Sequence, residues 1–501
     1  MENLCSGRSM GECSHAEGKN TAAHGLASHA EGLQTQAKGV FSHAEGLLTT
    51  AAGEGAHAEG IQTTAEGGAS HGEGLKTIAK GDMSHAEGTE TNANGTASHS
   101  EGQFTTAYGT ASHAEGQSTM AKGEASHAEG QSTAAHGDGS HAEGMETTAN
   151  GQPSHAEGWK TLAQGFASHA EGQATTAAVF FFSSRRRHTI SNGLCSHTEG
   201  YGTITTTRYA HAEGEHTKAE GAASHAEGSN TTAGGFASHA EGARTAAGGF
   251  AAHAQGYEVI ADGHFSHGEG WGTSTGLCEG AHIMGKFGDA DEPYSWYLAN
   301  GISAAAKGIA AKIIGSAGNM FIDGLYGSSG TSYAEMFESI DGKPIDPGYF
   351  VTLHGKKIRR ANEKDAYILG VTVTKPAILA SCGELRWKGK YMTDPWQRIQ
   401  YREVVVPEVK DGNGKVILPE RKEIQPVIHP GWDMTRKYIP RRKRPEWIPV
   451  GLLGQLLVRD DGTCSENGYC RVNPSGIATA APHGYRVLER IKADQILILF
   501  R

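Results

Sequence analysis

Histidine stands at positions 15, 29, 43 and every fourteenth residue to 169, then again from 197 to 267, and such strict phase allows only a repeating architecture. Around these histidines runs Ser-His-Ala-Glu-Gly, beginning at Ser14, Ser28, Ser42, Ser84, Ser112, Ser126, Ser140, Ser154, Ser168, Ser224 and Ser238. His57 and His211 follow Ala instead of Ser, and His71, His99, His197, His253 and His267 sit in close variants. The consensus S-H-A-E-G-x-x-T-x-A-x-G-x-A puts small residues at alternate positions in two short runs, each the pattern of a brief strand with one small-residue face. Glycine ends each run at a turn. Stacked as parallel strands about 4.8 Å apart, the coils from His15 to His267 make a rod of roughly 85 Å.

Composition supports a thin interior. Only 37% of the 501 residues are hydrophobic and 7% aromatic, whereas 71 are glycine, which fits neither an ordinary core nor disorder. A coil filled by Ala, Ser and Thr buries little apolar surface, so association with other copies is the expected remedy. The alternation turns His and Glu away from the core, giving a histidine ladder and a glutamate ladder that include His15, Glu17, His29, Glu31, His43, Glu45, His113, Glu115, His127 and Glu129. Three readings of the ladders are open: a polar interface between copies, a divalent-metal site made of imidazole and carboxylate, and a solvated face. The 27 histidines also mean that a net charge of -11 would become +16 if all were protonated.

Residues 14–270 resemble the left-handed β-roll heads of trimeric autotransporter adhesins, whose repeats carry S-V-A-I-G where this chain carries S-H-A-E-G. The resemblance implies an all-β, left-handed parallel roll of 14-residue coils, trimeric, with His and Glu meeting across the trimer axis. Residues 1–13 read as a degenerate N-terminal segment. Either an anchoring domain lies on another protein or the start is truncated. No signal-peptide core opens the sequence and no run of about 18 apolar residues occurs, so neither secretion nor membrane insertion is expected.

The register is broken once. Val179-Phe-Phe-Phe-Ser-Ser-Arg-Arg-Arg-His-Thr189 replaces the expected coil, although His169 and His197 keep a spacing of two periods. Three phenylalanines and three arginines do not suit an alanine core. The string is similar to translated sequencing-adaptor read-through in assembled metagenomic proteins, and residues 179–189 read as an artefact in place of a normal coil. The alternative is a genuine decorated coil with a basic tip.

After Gly270 the period dissolves, and residues 271–331 read as a β-rich stalk, with Ala304–Ile314 also compatible with a short helix. From Tyr333 the composition becomes that of a mainly β globular domain. Cys464 and Cys470 are close enough to meet across a hairpin or share a metal, but read as free thiols. The stretches Tyr333–Glu338, Gly348–Leu353, Asp365–Gly370, Tyr438–Trp447, Val450–Gly454 and Asp460–Cys464 resemble the intramolecular-chaperone autoproteolytic domain called peptidase G2. That domain is found at the C-termini of phage tail appendages, including pre-neck appendages, and in prophage proteins.

The resemblance covers about residues 280–501 and implies that residues 332–501 are a domain that assists trimer assembly and then cuts itself from the fibre. The family motif is Asp-Tyr-Ala-Glu, cut before Asp; here it reads Ser332-Tyr333-Ala334-Glu335. The implied scissile bond is Thr331–Ser332 and the implied catalytic residues are Ser332 and Glu335. With Ser in place of Asp, cleavage would proceed by an N-to-O acyl shift with Glu335 as base. If cleavage is lost, the domain remains a permanent trimer cap.

The basic run Arg436–Arg444 reads as a solvated or inter-subunit face and not as a nucleic-acid site. No Walker-type phosphate loop occurs, so no cofactor is required, and ATP and a divalent metal are the ligands left open. The resemblance to the peptidase G2 domain implies a virion-tail protein, assembled in the host cytoplasm. Its partners would be two further copies, other tail proteins, and a host receptor or glycan. A bacterial surface adhesin with an inactive trimer cap is the alternative. A metal-dependent hydrolase fits poorly, because a catalytic constellation does not recur in every coil.

Overall fold

A computed structural model describes residues 7–181, 183–383, 389–410, 414, 416–433, 435 and 437–501. It divides into two compact units, the first ending at Gly324 and the second spanning Leu325–Arg501. Among the described residues there is no α-helix, and hence none long and apolar enough to cross a membrane.

The first unit is a parallel β-solenoid of about 21 coils. Each coil contributes a five-residue strand such as His29–Leu33 and a two-residue strand such as Gln36–Ala37. Pairing joins identical positions one period apart, so His29 meets His43 and Glu31 meets Glu45. The small residues explain the tightness of this packing. Ala30, Thr35 and Ala37 are wholly buried, and the same positions are buried in coil after coil. Serine closes the turn: the Ser28 hydroxyl donates to the Gly25 carbonyl at 2.8 Å, and Ser126 does the same to Gly123 at 2.7 Å. Gly32 lies at φ +111°, where a Cβ would fall 2.2 Å from the Gly46 carbonyl oxygen. The glycine of S-H-A-E-G is therefore demanded by the coil stacked against it.

Residues 183–187 keep the phase. Ser183 pairs with His169 and His197, and Ser184 takes the alanine position, buried and bonded to Thr189. The expected conflict between this segment and the core does not arise, because Phe180, Phe181 and the three arginines project outward while small residues face in. Phe182 lies outside the described residues. The conflict falls instead on the backbone, where Arg186 occupies the glycine position at φ +83°.

The parallel stack continues beyond Gly270. His267 pairs with His282 after a single extra residue, and Ile283 pairs with Tyr297. Antiparallel strands Ile309–Ile313 and Met320–Ile322 follow, so the segment 304–314 contains a strand and not the helix considered above.

The second unit is built on one sheet. Its long strand, Trp447–Arg459, pairs along different stretches with Ser332–Glu338, Gly370–Thr372 and Gln495–Phe500. The alternation in Gln495–Phe500 sends Ile496, Ile498 and Phe500 into a core shared with Phe350, Val371, Leu456, Val458 and Val487. Cys464 and Cys470 are free thiols buried in the same core. Burial pushes both thiols up, Cys470 to about 12, which leaves them unreactive near neutral pH.

Candidate functional site

The strand Ser332–Glu338 is held on both sides. It pairs antiparallel with the long strand, Ser332 opposite Gly454, and parallel with Ile378–Ala380. The carbonyl of Thr331 accepts a hydrogen bond from the Gln455 N–H at 3.2 Å, and the Thr331 hydroxyl donates to the Gln455 carbonyl at 3.0 Å. One residue on, the Ser332 carbonyl accepts from the Ala377 N–H at 2.8 Å. The Thr331–Ser332 peptide bond is thus fixed between two neighbouring backbones.

Gly454 makes the approach possible. It lies at φ +111°, and a Cβ there would stand 2.3 Å from the Thr331 carbonyl oxygen. The Gln455 N–H is therefore brought to the oxygen on which negative charge would develop if the Thr331 carbonyl were attacked. A cavity of about 500 Å³ opens beside this bond, lined among others by Thr331, Ser332, Thr372, Lys375, Gln455 and Asp494.

Ser332 and Glu335 are not brought together. Burial alternates along the strand, with Ser332, Ala334 and Met336 on the buried face and Tyr333 and Glu335 on the other. Three positions of separation on a strand give opposite faces, so Glu335 is not the neighbour of the Ser332 hydroxyl within one strand. Lys375 shares the Ser332 cavity instead. The Ser-Tyr-Ala-Glu motif alone does not reveal Gln455, which reaches the Thr331 carbonyl through strand pairing, or Lys375, which lines the same cavity from the connection between Gly370–Thr372 and Ile378–Ala380. The Val450–Gly454 block was the available signal for the first of them.

Two arginines of the basic run are engaged within their own unit, while Lys437, Arg442 and Lys443 are exposed. Arg441 lies 3.9 Å over the Trp447 ring and donates to the Ser381 carbonyl at 2.9 Å, and Arg444 also faces Trp447. Met434 and Arg436 lie outside the described residues.

Along the first unit the histidines and the glutamates of successive coils stand in rows. From His29 to His155 consecutive imidazoles stack with centroids 4.7–4.9 Å apart and planes within 11° of parallel. Ser183 interrupts them, and the rings on either side turn edge-on: His155 to His169 at 75°, His197 to His211 at 80°. Within each strand the His Nε2 and Glu Oε2 stand apart by 3.7 Å at His29–Glu31, 3.5 Å at His113–Glu115 and 4.0 Å at His127–Glu129. His15–Glu17 and His43–Glu45 repeat the arrangement at 3.7 and 3.8 Å. Burial, followed by repulsion from neighbouring imidazoles, holds His113 down to about 4 and lowers His43, His57, His155 and His225. Hydrogen bonds to Glu45 and Glu73 push Glu59 up to about 7.

Comparison with known proteins gives a domain assignment. Residues 291–494 match the family described as Peptidase_G2, IMC autoproteolytic cleavage domain. The pre-neck appendage protein of Bacillus phage B103 is 37% identical over 133 residues, 26% of this chain and 14% of that protein. The corresponding protein of Bacillus phage phi29 is 37% identical over 153 residues, 30% of this chain and 16% of the other. The crystal structure of the phi29 gene product 12 C-terminal fragment shares 31% identity, covering 34% of this chain and 99% of the fragment, with a TM-score of 0.28. The chain thus spans about a seventh of the length of these curated relatives. The C-terminal part of this chain, residues 291–494, carries a Peptidase_G2, IMC autoproteolytic cleavage domain.

Proposed function

We propose that the chain is a structural protein of a phage tail appendage, whose C-terminal domain promotes assembly of three copies and cleaves itself from the fibre at Thr331–Ser332. The observation that carries this reading is the Peptidase_G2 match around a scissile bond already clamped by Gln455 and Ala377. Its partners would be two further copies, other virion proteins, and a receptor or glycan on the host. The half-buried His/Glu face is the one we assign to contact between copies.

Cleavage follows from the groups at hand. The Ser332 hydroxyl oxygen attacks the Thr331 carbonyl carbon, and the oxyanion forms where the Gln455 N–H already points. Lys375, which lines the same cavity as Ser332, is the group we assign to take the hydroxyl proton. Collapse breaks the Thr331–Ser332 C–N bond, and the proton passes to the Ser332 amine, leaving an ester between Thr331 and the Ser332 oxygen. Water hydrolyses the ester to the Thr331 carboxylate and the free Ser332 hydroxyl.

Mass spectrometry of the full chain tests the proposal. A C-terminal piece beginning at Ser332, lost in Ser332→Ala and strongly reduced in Lys375→Ala, is the expected result. Full-length chain alone, after sedimentation has established a trimer, would leave the domain as a permanent cap.

A further inference from the structure

We infer that the His/Glu ladders bind a row of first-row divalent transition ions of the Zn²⁺ type. His–Glu–His groups on the described residues, among them His71–Glu73–His85, His113–Glu115–His127, His127–Glu129–His141, His141–Glu143–His155 and His239–Glu241–His253, place one ligand atom of each side chain within 4.8 Å of the others. The three ligands of each group come from one chain, on the face assigned above to contact between copies, so a neighbouring copy would close over the bound ions.

Three observations carry it. The Nε2 atoms of His29, His43, His113, His127, His141 and His155 are enclosed yet have no hydrogen-bond partner among the described residues. Their gaps to the carboxylates, 3.5 Å at Glu115 and 4.0 Å at Glu129, are too long for good hydrogen bonds. With each donor about 2.0–2.1 Å from zinc, however, two ligands at a tetrahedral angle stand about 3.4 Å apart, so a bridging ion closes such gaps with small side-chain movements. Finally, a single carboxylate reaches two coils: Glu227 has Oε2 3.9 Å from His225 and Oε1 3.9 Å from His239.

The donor set selects the ion. Neutral imidazole with carboxylate suits Zn²⁺, Ni²⁺ or Cu²⁺, whereas Ca²⁺ and Mg²⁺ prefer all-oxygen shells. Stacking already aligns the rings in one row, but neighbours with centroids 4.8 Å apart must tilt toward each other to share an ion, since two donors at about 2.0–2.1 Å span at most about 4.2 Å. Neighbouring groups share a histidine, as His127 belongs to two of them, so full occupancy of every group is ruled out and a substoichiometric row is expected.

The experiment uses the full chain, stripped with chelator, dialysed against ZnCl₂ at low-micromolar free ion and analysed for bound zinc. Several zinc ions per chain are expected. The variant His113→Gln/His127→Gln/His141→Gln should lose the ions of that stretch, and Glu115→Gln/Glu129→Gln/Glu143→Gln should weaken them at least tenfold, both with unchanged β-sheet circular dichroism. Co²⁺ in place of zinc should give the visible absorption of a low-symmetry mixed nitrogen–oxygen site. Fewer than one zinc per chain, or the same zinc content in the histidine variant, overturns the inference. An unaffected glutamate variant overturns the mixed His–Glu site. Sedimentation of the same samples reports association separately, so a failure of the trimer reading is distinguishable from a failure of metal binding.

Discussion

Gly454 has little freedom to change, being crowded against the Thr331–Ser332 bond at φ +111°. In Gly454→Ala the new methyl would meet the Thr331 carbonyl oxygen at 2.3 Å, so the strand carrying Ser332 must move off its Gln455 partner. We expect a loss of about 1–3 kcal/mol from the C-terminal unit, typical of overpacking, and loss of the Ser332-terminated fragment in the mass spectrum. A second site in the same unit tests its core. The Arg490 guanidinium lies 2.6 Å from Asp460, whose side chain has no exposed surface, and it also donates to the Cys464 carbonyl. Arg490→Met strands a buried carboxylate and should cost about 3–5 kcal/mol, measured by denaturant unfolding. Acid behaviour has an identifiable contributor at Asp365. Hydrogen bonds from Arg359 hold this carboxyl below its ordinary value, so the fold favours its ionised form. That contribution is present above the unfolded value near 3.8 and is lost as pH falls through the lower folded value. Asp365→Asn should therefore destabilise the unit at pH 7, and the difference should shrink as the pH falls below 3.8.

At the scale of a coil, tolerance is set by which side of the strand a residue occupies. Ser126 bonds Gly123, yet Ala56, Ala210 and Ala252 stand at the corresponding position in other coils, so Ser126→Ala should cost no more than about 1 kcal/mol. Ala128 is fully buried between Ala114 and Ala142, and Ala128→Leu has nowhere to place three extra carbons, so local protease resistance should fall sharply. The irregular coil offers the opposite change. Arg186→Gly removes a side chain from φ +83° at the loss of an exposed ion pair to Glu199, and thermal unfolding should show a gain of about 1 kcal/mol. Such contrasts explain what could be read from the amino-acid order. The coils were legible because the strand pairing joins residues one period apart and the same choice is written many times. The continuation to Trp296 was less so, because one extra residue before His282 hides the phase while the pairing persists. The site around Ser332 was legible only in its local motif. Gln455 is 124 positions from Thr331, and no spacing rule connects them.

For the whole molecule, repetition that makes the solenoid easy to read also makes its assembly ambiguous. Identical coils on adjacent copies match equally well after a slip of one period, and a thin core gives each chain little reason to hold out for the right register. Two features break the degeneracy. Ser183 interrupts the histidine ladder at one height, and the C-terminal unit is unlike any coil. The second is the stronger, since in the three-copy assembly proposed above a globular domain that associates first would set the chains at a common end. A chain ended at Gly324 should then sediment as a polydisperse mixture, even though its circular dichroism retains the β signature of the coils. The Ser332→Ala chain, which keeps its C-terminal unit and does not cut, should sediment as one species. A monodisperse trimer from the shortened chain would mean that the coils find their register unaided, and the C-terminal unit would be left with self-cleavage alone to explain its presence.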